Sequence, residues 1–241
     1  MRALFATLGL LFVVVGCSTT PDLKRPVATE NIARIKRVGV TSFLGDTVYG
    51  ISLGTTSFNY AEFSAPVPDW KIDETAISQA LAILRRGGRF QAAALDRTSY
   101  DTEGLLADGA KLLWEQAASQ GFDTLVVVLP AVSESFRVFK PGYGIFERAF
   151  LSISHRCLYA AYEVDVYDVA ARKRIAWQWG GDEGTPCLAD SEQRLPFKAR
   201  FDDYSVAEKR AMREGIEARI AETLAKALNK LELVSPRDAG R

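Results

Sequence analysis

Side chains that could perform catalysis are few in this chain. His155 is the only histidine, which excludes multi-histidine metal sites, and we expect it at a strand edge rather than in a triad. Asp165 and Asp168 share a predicted strand but point to opposite faces, so they cannot work as a carboxylate pair. Asp182 and Glu183 lie among glycines, which is typical of a solvated turn, with weak cation binding as the alternative. The chain also lacks a Gly-x-Ser-x-Gly elbow and a Gly-rich phosphate loop. We therefore predict no catalytic residue, no metal site, no cofactor and no enzymatic activity.

A cysteine near the start carries the clearest chemical signal. Cys17 follows Gly16 at the end of an apolar run that starts at Leu4, just after the basic Arg2. A basic start, a short apolar segment and small residues at the cut are typical of a signal peptide. With a cysteine after the cut, the segment resembles the lipobox of bacterial lipoprotein precursors. We predict a lipoprotein signal peptide at 1–16 and lipidation of Cys17. An ordinary signal peptide or an amino-terminal membrane helix is the alternative.

The predicted location follows from this anchor. Ser18 stands after the lipidated cysteine, and in similar enterobacterial lipoproteins a residue other than Asp there permits export to the outer membrane. We therefore expect a body that faces the periplasm and is held to the membrane through its acyl chains. Lys plus Arg and Asp plus Glu both number 30, so no net field attracts nucleic acid or an anionic surface.

The two remaining cysteines, Cys157 and Cys187, form an even pair in an oxidising compartment, which favours a disulfide. The segments 159–168 and 174–180 indicate an antiparallel hairpin. A turn near Ala171 would place Cys157 opposite residue 185, close to Cys187. Two unpaired thiols are the alternative.

Arginines and tryptophans are the candidates for partner binding. Arg85, Arg86 and Arg89 cluster where the first predicted helix turns into the second strand, and they could hold a carboxylate or phosphate. Alternatively, they stay solvated and interact with the helix dipole. Trp177 and Trp179 lie on one side of a strand and could form an aromatic platform. We favour their packing in the core against the final helix.

The length favours one domain. We place Cys17 and a flexible tether at 17–35, the globular domain at 36–233 and a tail at 234–241. The domain is predicted as an α/β (α+β) fold in which helices pack on a mixed sheet. Its order is strand, helix, strand, helix, strand, strand, helix.

Individual elements are predicted from capping and periodicity. Asp73 is expected to cap a helix over 73–86 that ends at Gly87, and a second helix covers about 108–120. Ser205-Val206-Ala207-Glu208 has the form of a capping box before the final helix. The apolar stripe of that helix comprises Met212, Ile216, Ile220, Leu224, Leu228 and Leu231.

Two hairpins are predicted as insertions. The first pairs 48–53 with 58–63, where aromatic residues lie on both arms. The second pairs 136–139 with 145–150 around a Pro-Gly turn.

Three segments in this order resemble one superfamily: Leu84–Phe90, Ala117–Val128 and Tyr162–Trp177. The superfamily includes the amino-terminal domain of the TolB translocation protein, the lipoprotein activators of penicillin-binding proteins and the curli secretion channel subunit. The chain departs from this family in the long insertions at 46–70 and 133–154.

These features predict a non-catalytic lipoprotein that binds or scaffolds another envelope component. The resemblance implies regulation of cell-wall synthesis as the specific version of this role. An oligomeric secretion-channel component of the curli-channel type is the first alternative, although a membrane strand needs about nine to eleven residues and 48–53 is shorter. An envelope enzyme is the second alternative.

Overall fold

The computed structural model describes residues 26–54, 60–96, 109–150, 153–180 and 195–234. These residues form a mixed eight-stranded sheet with four helices packed against it, which confirms the expected α/β fold. The predicted signal peptide, Cys17, Cys187 and the Asp182-Glu183 pair lie outside the described residues.

The elements have the following bounds. The strands are β1 (Arg37–Ser42), β2 (Thr47–Leu53), β3 (Tyr60–Pro66), β4 (Gln91–Ala94), β5 (Thr124–Pro130), β6 (Gly142–Phe150), β7 (Ile153–Asp168) and β8 (Lys173–Trp179). The helices are α1 (Thr29–Ile32), α2 (Ile72–Arg86), α3 (Gly109–Ser119) and α4 (Val206–Lys230).

Strand β7 is central to the sheet, because its two halves pair with different neighbours. The strand order is β3-β2-β6-β7-β5-β1-β4, and β8 also pairs with β7. Strand β1 runs parallel to both β4 and β5, whereas β5, β6 and β8 run antiparallel to β7. Strands β6 and β5 pair with successive parts of β7, β6 with 153–161 and β5 with 162–168, and β8 pairs with 163–168.

The predicted β7–β8 hairpin is confirmed, and its register agrees with the expected turn. Glu163 lies opposite Trp179 and Asp165 opposite Trp177, with an irregularity after Val166. The extension of this register to Cys157 stays a prediction, because residue 185 lies outside the described residues. Within them, Cys157 pairs with Phe146 of β6.

The core lies on both faces of the sheet. Helices α2 and α4 cover one face, where Leu84 and Ile216 pack with valines of β1, β5 and β7. Helix α3 covers the other face, where Leu113 and Ala117 pack with Leu125 and Val127. Strand β5 is therefore buried on both sides, which explains its continuous apolar run.

The final helix matches its prediction. Ser205 Oγ accepts from the Glu208 N–H, and the Glu208 carboxylate accepts from the Ser205 N–H, which completes the capping box. All six residues of the predicted stripe are fully buried. They hold α4 against the sheet.

Helix α2 begins differently from the prediction. Its N-cap is Lys71, with φ 51°, and Asp73 lies in the first turn. The Asp73 carboxylate bonds to groups at the end of β1 instead of capping its own helix. At the other end, Gly88 and not Gly87 has a left-handed backbone, with φ 61°.

The first hairpin insertion is confirmed, since β2 pairs antiparallel with β3. The second was wrong in its pairing. Phe136 ends a 3-10 turn over Glu134–Phe136, and β6 pairs with β7 and, in parallel, with β2. Local pattern cannot show such a pairing, because β2 and β6 are far apart in the sequence.

Part of the predicted tether packs on the body. Val27, Ile32 and Ile35 are buried in the main core. The Val27 N–H also donates to the carbonyl oxygen of Leu231, beyond the end of α4. These three side chains therefore pack as part of the body.

Candidate binding surface at the sheet edge

The three predicted arginines lie beside β4, which forms an edge of the sheet. Arg85 and Arg86 end α2, and Arg89 stands just before β4. Next to them opens a recess of about 310 Å³, in which Arg85 is joined by Arg37 of β1. The recess is lined by Arg37, Arg85, Phe90, Gln91, Ala92, Ala93 and Phe122.

Arg37 is held in place from both its backbone and its side chain. Its N–H donates to Oδ2 of Asp123 at 3.0 Å, and its carbonyl accepts from the Asp123 N–H. Its guanidinium lies 5.7 Å from the centre of the Phe122 ring. A Cβ at Gly121 would stand 2.4 Å from Arg37 Nη1, and the φ of Gly121 is +75°. Glycine there therefore leaves room for the guanidinium.

The floor of the recess depends on another glycine. A Cβ at Gly39 of β1 would stand 2.7 Å from Leu125 and 2.9 Å from the Phe122 ring. The absent side chain lets the Phe122 ring lie close to the sheet. Phe122 itself is buried.

Arg85 covers part of the sheet edge. Its Nε donates to the carbonyl oxygen of Ala92 at 3.0 Å. The remaining guanidinium nitrogens stay available, because Nε is the only Arg85 donor used within the described residues. An arginine in this position can bind a carboxylate while it keeps its own place.

The cations at this end of the sheet have no direct ion-pair partner among the residues that the structure describes. In the described part of the chain, Lys36, Arg37, Arg85, Arg86 and Arg89 form no ion pair with a carboxylate. Arg89 donates to the Glu232 carbonyl at 3.3 Å and lies 5.6 Å from the Phe90 ring centre. The surface is therefore locally basic although the whole chain has no net charge. A local excess of one sign attracts anionic groups within about 8–10 Å at moderate salt.

Sequence reasoning missed Arg37 and Phe122. A signal was available, because parallel strands begin at the same end of a sheet. Arg37 opens β1, and Arg89 lies two residues before β4, which is parallel to β1. Cations placed before two parallel strands are thereby brought together.

The two tryptophans were predicted on one side of a strand, and the structure places them so. Their rings are 5.4 Å apart at 89°. The expected packing against the final helix was wrong. Ala176, the neighbour of Trp177 on β8, lies in the core beneath α4. Because side chains alternate along a strand, Trp177 and Trp179 point to the opposite face of the sheet, which α3 covers. Both are half-buried.

Asp165 of β7 lies opposite Trp177 and belongs to a network of polar side chains. It is 1% exposed, and its Oδ2 accepts a hydrogen bond from the Tyr167 hydroxyl at 2.6 Å. Arg174 Nη1 approaches both carboxylate oxygens at 3.4 Å and lies 3.8 Å from Glu163. Burial is the main cause that raises the pKa of Tyr167 well above its ordinary value, and the neighbouring Asp165 carboxylate raises this pKa further. Because Arg174 lies on β8 and Asp165 on β7, these contacts stabilise the β7–β8 pairing.

The other polar residues considered for chemistry are separate from this network. Asp168 Oδ1 accepts from the Ala171 N–H at 2.8 Å and stabilises the β7–β8 turn. His155 is exposed on β7 opposite Arg148. Cys157 is buried on β7, and its predicted pairing with Cys187 stays a prediction.

The fold and the site together define an α/β domain with a basic, aromatic-lined recess at a sheet edge. Comparisons with protein-family models, curated proteins and solved structures find no match to this chain. Among the described residues, none of the helices has the length and apolar character needed to cross a membrane.

Proposed function

We propose that this protein is a non-catalytic lipoprotein that binds another envelope protein through its basic sheet edge. Lipid on Cys17 holds it at the outer membrane, and its α/β body faces the periplasm. The lipobox supports the anchor. The observation that supports the binding role is the presence of Arg37 and Arg85 in the recess, neither of which forms an ion pair with a carboxylate within the described residues.

Regulation of cell-wall synthesis is the specific version of this proposal. It is supported by the resemblance of three sequence segments to a superfamily that includes lipoprotein activators of penicillin-binding proteins. The α/β fold is compatible with that resemblance, but a fold by itself does not define an activity.

The anchor is tested by fractionation of cells that express the wild type or the Cys17→Ser variant. We expect the wild type in the outer-membrane fraction and the variant in the soluble periplasm, because the acyl chains are the proposed membrane attachment. Equal membrane retention and identical processing of both chains would contradict it.

The binding role is tested by crosslinking in intact envelopes, followed by pull-down of the tagged chain. A partner should be recovered with the wild type and lost with Arg86→Glu/Arg89→Glu. The control Arg200→Glu/Arg210→Glu removes the same charge at two exposed positions away from β4 and should recover the partner normally. Absence of any partner above the Cys17→Ser background would reject the binding role.

A further inference from the structure

We infer that the outer edge of β4 pairs with an extended acidic segment of the partner protein, which adds one strand to the sheet. This inference rests on the proposed binding role and names the chemistry of the partner. It follows from two properties of the edge: its open backbone groups and the charges around them.

The hydrogen bonds of β4 show which groups are open. The Gln91 N–H donates to the Lys36 carbonyl at 2.9 Å, and the Leu95 N–H donates to the Val40 carbonyl at 2.8 Å. Alternate residues of a strand point their backbone groups to opposite edges. Ala92 and Ala94 therefore direct theirs away from β1.

Only part of this outer edge is already satisfied. Arg85 donates to the Ala92 carbonyl, and the Gln120 side chain bonds to both the N–H and the carbonyl of Asp96. Within the described residues, the Ala92 N–H and both backbone groups of Ala94 have no partner. Unpaired strand edges are templates for another strand. The open length suits a short segment of a few residues.

The charges determine which strand fits. Arg85 reaches the edge from α2 on one face of the sheet, and Arg37 lies beside Phe122 on the other face. Side chains of an added strand alternate between these faces, so carboxylates on either face would meet a guanidinium. A second copy of this chain would bring its own arginines against these, and like charges across paired strands are destabilising. An acidic segment of a different protein is therefore the favoured occupant.

The test measures fluorescence anisotropy with the purified full chain in detergent micelles. Three short labelled peptides are compared: alternating Glu and Val, alternating Lys and Val, and alternating Glu and Pro. The Glu-Val peptide should bind and the other two should not, because the site requires both negative charge and strand hydrogen bonds. Equal binding of the Glu-Pro peptide would indicate charge attraction alone and would overturn the inference, as would no binding of the Glu-Val peptide.

Two variants locate the site. Ala94→Pro removes an outward N–H and leaves the bonds to β1 in place, a substitution that edge strands tolerate. It should weaken binding of the Glu-Val peptide by about tenfold, and Arg86→Glu/Arg89→Glu should have the same effect. Arg200→Glu/Arg210→Glu should leave binding of this peptide unchanged. Unchanged affinity in Ala94→Pro would overturn edge pairing.

Amide hydrogen exchange in the wild-type chain gives a second readout that does not depend on the variants folding. Exchange at Ala92 and Ala94 should slow when the Glu-Val peptide is added, since both amides become hydrogen-bonded. No change at these amides would overturn the inference. Envelope crosslinking is read separately: a partner that does not require Arg86 and Arg89 would show that the protein binds through another surface.

Discussion

The carboxylate of Asp73, in the first turn of α2, accepts a hydrogen bond from Oγ of Ser42, the last residue of β1, at 2.6 Å. The same oxygen accepts from the Leu44 N–H at 2.7 Å. Ser42 and Leu44 are both buried. One side chain thus fastens the start of the helix to the end of the strand on which it packs.

Removal of this acceptor should destabilise the fold. Asp73→Ala leaves a buried hydroxyl and a buried N–H without the Asp73 acceptor, and we expect a loss of about 2 kcal/mol in the free energy of unfolding. Asp73→Asn keeps an acceptor oxygen and should lose less. Urea unfolding followed by circular dichroism measures both values.

Glu74 supplies the matched control. It lies next to Asp73 in the same helical turn, but its side chain is 69% exposed and pairs with the exposed Lys71. Glu74→Ala should change the free energy of unfolding by less than about 1 kcal/mol. Equal effects of Asp73→Ala and Glu74→Ala would show that the bridge to β1 has no special role.

The capping box predicts a pH dependence. A hydrogen bond from Lys198, followed by those from Ser205, lowers the pKa of Glu208 from 4.5 to about 2. A carboxyl whose pKa is lower in the folded chain stabilises the fold when ionised. Its contribution is present above the unfolded pKa and is lost as the pH falls from 4.5 towards 2.

Glu208→Gln isolates this contribution. Its Tm should lie below that of the wild type at neutral pH, and the difference should shrink as the pH falls through this range. Thermal unfolding at a series of pH values measures it. A difference in Tm that is independent of pH would contradict the assignment.

The parallel pairing of β2 with β6 predicts a strict requirement for glycine at position 144. Gly144 lies opposite Tyr49, and a Cβ there would stand 1.9 Å from the Tyr49 carbonyl oxygen. Gly144→Ala must push the two backbones apart, so we expect a loss of about 3 kcal/mol in the free energy of unfolding. Chemical denaturation measures it.

Gly87→Ala is the control for this substitution. Its backbone has φ −67°, which alanine adopts freely, and the nearest atom to a new Cβ is 3.6 Å away. We expect a neutral effect or a gain of about 0.5 kcal/mol from the lower entropy of the unfolded chain. If Gly144→Ala were as mild as Gly87→Ala, the close approach of β2 and β6 would be refuted.

The disulfide prediction has a direct test. Alkylation should add the mass of two alkyl groups, on Cys157 and Cys187, to the intact periplasmic protein only when a reductant has been added first. Alkylation of both thiols without reductant would remove the disulfide.

The sequence alone determined the features that depend on neighbouring residues. The capping box and the apolar stripe of α4 could be predicted because a helix is stabilised by contacts three and four residues apart. The register of Asp165 with Trp177 could be predicted because a short turn connects their strands. The arginine cluster at the end of α2 was visible for the same reason.

Only the tertiary structure decided the features that join distant segments. Nothing local indicates that β6 pairs with β2, that Trp177 faces α3, or that Val27 packs in the core. Arg37 and Arg85 are well separated in the chain, and they meet at one recess because β1 and β4 are parallel neighbours and α2 ends beside β4. Such contacts depend on strand order, which arises from the burial of whole faces of the sheet and not from the preference of any single residue.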